Sequence, residues 1–135
     1  MILEPRAALP AYRIESVDPE AMKVWAVILR DPNPIHLDPA AVRAAGLGDR
    51  VINQGPMNVA FVMNMLAKAF PGSRLESFET RFVDNVYGGE AIEAGGTIAA
   101  VEASGPSRRI TCDVWLKADE RDVVISGRAV LDVPN

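Results

Sequence analysis

Residues 55–70, with the sequence GPMNVAFVMNMLAKAF, constrain the fold of this chain more than any other stretch. Gly55 suits the N-cap of a helix and Pro56 its first turn, and Pro71-Gly72 ends the helix. At 3.6 residues per turn, apolar side chains cover nearly the whole circumference. Three polar residues interrupt them: Asn58, Asn64 and Lys68. A helix that is apolar on all sides is usually buried, so the rest of the chain is expected to wrap around it, as a strongly curved sheet would.

After Gly72 the sequence changes to the two-residue alternation that is typical of β-strands. Four strands are predicted, separated by turns: 74–83, 90–101, 110–117 and 123–133. In the third strand Cys112 falls on the apolar face, which predicts a buried structural thiol rather than a nucleophile. A short extended piece is expected earlier in the chain, around residues 12–16.

Two Asp-Pro pairs begin predicted helices, over 19–30 and 40–45, because Asp caps a helix and Pro suits its first turn. Trp25 and Ile28 are expected on the buried stripe of the first helix. The order of short helices, one long buried helix and about four antiparallel strands predicts an α+β fold, with a sheet that carries helices on one face. Residues 1–135 are expected to form a single domain.

Composition excludes several functional classes. The net charge of −4 and the pI near 5.0 argue against a nucleic-acid binder, which normally carries a basic patch. No apolar run approaches the ~18 residues of a membrane span, and the N-terminus lacks the pattern of a signal peptide. A single cysteine and a single histidine exclude an internal disulfide and a His-rich metal site. We therefore expect a soluble cytoplasmic protein without a metal or other cofactor.

The hexapeptide DPNPIH, residues 31–36, contains the only histidine of the chain. Its composition also suits a plain turn between two helices. Asp31 cannot cap a following helix, however, because Pro34 pushes Asn33 out of the helical region. Asp31 instead lies at the C-terminal end of the first helix, and the prolines restrict its separation from His36. A carboxylate and an imidazole that can reach one water form a competent acid–base pair.

The longer segment DPNPIHLDPAAVRAAGLGDRVINQGPM resembles the signature of the MaoC-like, or (R)-specific enoyl-CoA hydratase (hydratase 2), family. The residues that match in order and spacing are Asp31, Asn33, Pro34, Ile35 and His36. Gly55 matches the glycine that opens the family's central helix. A looser resemblance covers residues 81–92, which are similar to a strand-turn-strand of the same family.

The resemblance implies a hot-dog fold, in which a curved antiparallel sheet wraps around one long helix, usually as a dimer or a larger assembly. It implies reversible addition of water to a trans-2-enoyl thioester, giving a 3-hydroxyacyl thioester, in fatty-acid metabolism or that of a bulky, steroid-like acyl group. Asp31 and His36 would then activate the water, and Asn33 would orient them. A backbone N–H of Gly55 or Met57, at the positive end of the central helix, would stabilise the enolate oxygen.

The chain departs from the family pattern at five positions. Arg30 replaces a glycine before Asp31, Gln54 stands where many members have histidine, and Pro56 replaces a hydrophobic residue. Two further positions lack the family's prolines: Asn85 and Gly88. These changes suggest a bulky or ring-bearing acyl group. Arg30, Gln54 and Asn58 are therefore candidate substrate-binding residues, with capping or surface roles as the alternative for the last two.

Two other functions remain open at this point. One is a non-catalytic, acyl-thioester-binding subunit of a hot-dog heteromer, and the other is a hot-dog acyl-CoA thioesterase. Residues 56–70 lack the Asp or Glu that many such thioesterases carry on the central helix. The acyl carrier would be CoA or acyl carrier protein, and the partner a second copy or a related chain. Candidate phosphate-binding residues are Lys68, Arg74, Arg81, Arg108 and Arg109, with a solvated surface charge as the alternative for each.

Overall fold

The computed structural model describes residues 1–135. Its elements in chain order are β1 Tyr12–Ile14, α1 Pro19–Ile28, a 3-10 turn Pro34–His36, α2 Pro39–Ala44, α3 Gly55–Ala69, β2 Arg74–Phe82, β3 Ile92–Ser104, β4 Ser107–Ala118 and β5 Val123–Pro134. The five strands form one antiparallel sheet in the order β1-β3-β4-β5-β2. This curved sheet with one long helix is the predicted α+β, hot-dog architecture.

The core lies between α3 and the inner face of the sheet. Val62, Met65 and Leu66 of α3 are fully buried or nearly so. They belong to one cluster with inward-facing strand residues, which include Ile98, Ile110, Cys112, Leu116, Ile125 and Ala129. The predicted burial of Cys112 is confirmed, and burial raises the pKa of its thiol to about 12.

The opposite side of α3 is not covered. Met63 is 43% exposed, and Asn64, Ala67 and Lys68 are also exposed. The expectation that α3 is buried on all sides therefore holds only for the face that meets the sheet. A five-stranded sheet from one chain covers one side of a helix, and it leaves the other side open.

Helix α1 buries a different stripe from the predicted one. Met22 and Ala26 are buried, and Trp25 is half-buried. Ile28 is 59% exposed, so its predicted burial is wrong. Two residues along a helix rotate a side chain by about 200°, which directs Ile28 away from the face of Ala26.

The predicted starts of α1 and α2 are confirmed, since Asp18 and Asp38 accept backbone hydrogen bonds of 2.9 Å as N-caps. Helix α3 begins one residue earlier than predicted, because Gly55 is its first residue and Gln54 occupies the N-cap position. The strand predicted over 90–101 runs instead over Ile92–Ser104, and Glu90 remains in the preceding turn. None of the three α-helices combines the length and the apolar character that crossing a bilayer requires.

Candidate active site

The C-terminus of α1 ends in a Schellman motif that carries Asp31. Arg30 adopts a left-handed conformation with φ of 51°, and its N–H donates to Val27 O at 3.2 Å. The N–H of Asp31 donates to Ala26 O at 2.9 Å, which completes the motif. Glycine is the residue that adopts this conformation without strain. Arg30 thus occupies a backbone position that favours glycine, and its exposed side chain makes no ion pair.

Asp31 and His36 lie in direct contact. One carboxylate oxygen of Asp31, Oδ2, is 3.2 Å from His36 Nε2, and the other, Oδ1, accepts the Asn33 N–H at 3.2 Å. His36 is buried, with 8% of its surface exposed, whereas the Asp31 side chain is 37% exposed. The structure therefore brings together the two residues that the sequence singles out for acid–base chemistry.

The other ring nitrogen of His36 defines the tautomer. Nδ1 lies 2.6 Å from the carbonyl oxygen of Ile52, and a carbonyl can only accept, so Nδ1 carries a hydrogen. A neutral ring then presents a lone pair at Nε2 toward the Asp31 carboxylate. Two acceptors at 3.2 Å attract each other only when a proton lies between them. The pair is therefore arranged to hold one proton, which it can receive from water or return.

Asn33 contacts the pair through its backbone. Its side-chain oxygen accepts the Ile35 N–H at 3.3 Å and so caps the 3-10 turn that ends at His36. Its own N–H anchors Asp31, and its carbonyl accepts the His36 N–H at 3.2 Å. DPNPIH thus does contain a short helix start, but the capping residue is Asn33 rather than Asp31. The Asn33 amide is exposed and makes no hydrogen bond to either ring or carboxylate.

The N-terminus of α3 leaves one backbone donor free. Met57 N–H donates to Gln54 O at 3.0 Å, and Pro56 has no N–H. Gly55 N–H makes no hydrogen bond, so of the two predicted oxyanion donors only Gly55 is available. A Cβ at Gly55 would stand 3.3 Å from the ring of Phe82, which packs beside this turn. Gly55 lies three residues after Ile52. One short segment therefore contains both the carbonyl that accepts from His36 and the free N–H of Gly55.

Gln54 and Asn58 are buried rather than exposed. Gln54 Nε2 donates to the Met22 carbonyl of α1 at 2.8 Å, while its Oε1 is buried without a partner. Asn58 Oδ1 accepts a 2.7 Å hydrogen bond from Asn53 Nδ2. Gln54 occupies the N-cap position of α3, but its side chain makes no capping hydrogen bond and is fully buried, so the alternative of a surface role is wrong for it. The Gln54 side chain thus bonds the start of α3 to α1, and the Asn58 side chain bonds it to the segment that precedes α3.

The candidate phosphate-binding residues do not converge. Arg74 and Arg109 both pair with Glu76, and Lys68 lies over the ring of Tyr12. Arg81 makes no ion pair, and Arg108 bonds only to the C-terminal asparagine. The five residues form no common cationic site within one chain.

Three residues near the site carry no signal in the sequence analysis. Ile52 contributes a carbonyl, which any residue could provide. Glu90 and Arg121 form a buried ion pair behind the 86–90 turn, although the sequence places Glu90 at the start of a predicted strand and Arg121 in a charged turn. Their contact joins residues that are 31 positions apart, so local patterning does not reveal it.

No enclosed cavity surrounds Asp31 and His36 in the single chain. The largest opening, about 630 Å³, is a groove on the outer face of the sheet beside Trp115. Smaller pockets lie at the C-terminal end of α3 and between the starts of α1 and α2. None of the three is lined by either member of the pair, so one chain alone does not enclose a substrate there.

Comparison with known proteins agrees with the fold and with the family resemblance. A 3-hydroxyacyl-[acyl-carrier-protein] dehydratase of Arabidopsis thaliana mitochondria is 28% identical over 119 residues, covering 86% of this chain and 70% of that protein. An (R)-hydratase from A. caviae involved in PHA biosynthesis superposes with a TM-score of 0.87, at 21% identity and 98% coverage of both chains.

The ChsH1-ChsH2 complex of Mycobacterium tuberculosis contains a chain that is 18% identical, with a TM-score of 0.81 over 98% of this chain and 99% of that one. The family model for the MaoC like domain matches residues 5–113, which include all of the segment from Asp31 to Gly55. Sequence and fold thus agree that this chain belongs to the MaoC-like dehydratase family.

Proposed function

We propose that this protein is an enoyl-thioester hydratase, which adds water reversibly to a trans-2-enoyl thioester and forms the 3-hydroxyacyl thioester. The observation that carries the proposal is the contact between Asp31 Oδ2 and His36 Nε2, with the ring held by Ile52 O. Membership of a family of hydratases and dehydratases supports the reaction class.

The contact between Asp31 and His36 suggests the following order of bond changes and proton transfers. One water proton moves to the Asp31–His36 pair as the water oxygen bonds to Cβ, and the thioester becomes an enolate. The pair then returns a proton to Cα, which restores the thioester carbonyl and leaves the pair as it began. Asn33 holds Asp31 and the 3-10 turn in place for both transfers. The pair supplies acid and base, so the proposed reaction needs no cofactor.

The enolate oxygen requires a donor, and Gly55 N–H is proposed for this role. It is the one N–H of the first α3 turn that has neither an acceptor nor a proline ring in its place. The positive end of the helix dipole adds to its effect on a developing anion. Met57 was the alternative, but its N–H already donates to Gln54 O.

The acyl carrier is proposed to be CoA, with acyl carrier protein as the alternative that the Arabidopsis relative suggests. Arg30 is exposed, unpaired and adjacent to Asp31, so it is available to an anionic part of the carrier. The acyl group is proposed to be a fatty or bulkier, ring-bearing chain. Gln54 and Asn58, which are buried at the start of α3, are the proposed polar contacts near the thioester.

A direct test follows the loss of the conjugated enoyl thioester after mixing with purified protein, over a panel of short, long and ring-bearing enoyl-CoAs. Asp31→Asn and His36→Ala are each expected to lower kcat/KM by about 10²- to 10⁴-fold, the usual range for a general acid or base. Asp38→Asn is the matched control. Asp38 is a carboxylate of the same segment that caps α2 and does not contact His36, so its loss leaves the rate unchanged.

The proposal fails if the wild-type protein leaves every enoyl group of the panel unchanged, both as the CoA thioester and as the thioester of acyl carrier protein. Release of free CoA from a saturated acyl-CoA would indicate a thioesterase instead. Binding of an acyl thioester without turnover, together with co-purification of a related chain, would indicate a non-catalytic subunit.

We also propose that the functional unit is a homodimer or a larger hot-dog assembly, with a heteromer as the alternative. Strand β2 lies at the sheet edge, and Phe82, Val83 and Met63 are exposed near its end and on the open side of α3. A partner on this side would cover these side chains and add the missing walls around Asp31 and His36. Light scattering of the purified chain measures the assembly, and a stable monomer would contradict this proposal.

A further inference from the structure

The Ile52 carbonyl that orients His36 belongs to a segment with no regular secondary structure of its own. Ile52 N–H donates to Ile35 O at 2.9 Å, which joins the segment to the 3-10 turn. On its other side, Asn53 N–H donates to Val86 O at 2.7 Å. The position of the carbonyl therefore depends on the segment that contains Val86.

Residues 86–90 form a turn that packs against residues 51–53. Gly88 N–H donates to Val51 O at 2.8 Å, and Tyr87 forms an isolated β-bridge with Ile52. Gly89 has a φ of 83°, and Glu90 N–H closes the turn on Tyr87 O at 3.2 Å. The turn is thus hydrogen-bonded to the residues on both sides of Ile52, whose carbonyl is the histidine's acceptor.

Glu90 fixes this turn from inside the protein. Its side chain is fully buried, and its Oε1 accepts both the Tyr87 N–H at 2.7 Å and Arg121 Nη2 at 2.5 Å. A buried carboxylate needs a cation and hydrogen bonds to remain charged. The other oxygen of Glu90 has no hydrogen-bond partner, and Arg121 is the cation that pairs directly with the carboxylate.

Arg121 reaches the turn from the loop between β4 and β5. Its guanidinium lies 4.9 Å from the centre of the Tyr87 ring, and its Nη1 is 2.8 Å from Asp84 Oδ2. The arginine therefore connects the β4–β5 loop, the 84–90 segment and, through it, the Ile52 carbonyl. None of these groups touches the reacting atoms.

We propose that Glu90 and Arg121 are positioning residues for His36, because their buried ion pair holds the 86–90 turn that places the Ile52 carbonyl against Nδ1–H. This inference rests on the proposed function for its kinetic consequence. Its structural consequence, a single imidazole tautomer, is independent of any substrate.

The single histidine makes the tautomer directly measurable. Long-range ¹H–¹⁵N correlation on uniformly ¹⁵N-labelled protein, at an alkaline pH where the ring is neutral, reports one imidazole with no overlap. The wild-type protein is expected to show hydrogen on Nδ1 only. Arg121→Met is expected to show a mixture of tautomers, and to lower kcat about 10- to 100-fold with little change in KM, the effect of a misplaced catalytic group.

Arg50→Met is the matched control. Arg50 also lies against the Tyr87 ring, 5.3 Å from its centroid, but it forms its ion pair with Glu120 and not with Glu90. Its loss is expected to leave tautomer and kcat unchanged. Arg121→Lys keeps a cation opposite Glu90 and is expected to restore the single tautomer.

Arg121→Met leaves an unpaired buried carboxylate and can fail to fold, so the double variant Glu90→Gln/Arg121→Met serves as a second test. It removes the charge and the link to the β4–β5 loop together, and a tautomer mixture is again expected. Retention of Nδ1–H and of the wild-type kcat in folded Arg121→Met or in the folded double variant overturns the inference. An equal effect of Arg50→Met does so as well. If the wild-type protein is inactive on every thioester, the proposed function fails. The tautomer comparison still decides whether Glu90 and Arg121 position His36.

Discussion

Replacing Arg30 with glycine should stabilise this protein, although most substitutions destabilise proteins. Arg30 has a φ of 51° at the end of α1, where its N–H and that of Asp31 complete the Schellman motif. A side-chain-bearing residue in this region costs about 1–2 kcal/mol, and glycine loses about 0.5–1 kcal/mol of extra chain entropy on folding. Arg30→Gly is therefore expected to raise the free energy of unfolding by about 0.5–1 kcal/mol.

Urea denaturation at a fixed protein concentration measures this change, because an assembly would make the midpoint depend on concentration. Two controls separate backbone strain from charge. Arg30→Ala removes the charge but keeps the strain, so it should leave stability within about 0.5 kcal/mol of the wild-type value. Arg43→Gly introduces glycine at an exposed position of α2 and should cost about 0.5–1 kcal/mol. Equal effects of the glycine and alanine variants at position 30 would refute the backbone explanation.

The same variants separate the two roles of Arg30. If its side chain contacts the acyl carrier, Arg30→Gly and Arg30→Ala should raise KM by similar amounts despite their different stabilities. An unchanged KM in both would restrict Arg30 to the backbone role.

Three further predictions concern other parts of the fold. Arg13 holds the pKa of Asp119 below its usual value, so this carboxylate stabilises the protein at neutral pH and stops doing so as the pH falls through its lowered pKa. Asp119→Asn should therefore lower Tm at pH ~7 and have little effect once the pH is below that lowered pKa, as measured by thermal unfolding. The Cys112 thiol should react with a disulfide reagent only after unfolding, because it is buried and its pKa is about 12. Gly96→Ala should cost about 1–3 kcal/mol in urea denaturation, because the new Cβ would overlap the Asp113 carbonyl oxygen.

Sequence patterning predicts the parts of the fold that are determined by residues close together in the chain. The apolar stretch of α3, the alternation of β4 and the Asp-Pro starts of α1 and α2 each depend on contacts within a few residues or on one buried face. The pairing of Asp31 with His36 belongs to this group, since five positions and two prolines separate them.

Other features depend on contacts between distant residues, which leave no periodic trace. The Ile52 carbonyl could belong to any amino acid, so its role as the histidine's acceptor was not predictable. Glu90 and Arg121 both lie in turns, where charges are usually solvated. Ile28 is apolar but exposed, because one chain does not cover all of its own apolar surface.

The Schellman motif has a consequence for how the length of α1 can vary. Asp31 is carried by the end of this helix, so the number of residues in Pro19–Ile28 determines the direction of its carboxylate. Deleting one residue would rotate the helix end by about 100° and shorten it by about 1.5 Å, enough to separate Oδ2 from Nε2. The length of α1 thus determines where the Asp31 carboxylate lies relative to His36. Insertions and deletions should therefore be tolerated in the exposed hairpin at 104–107 but not in α1.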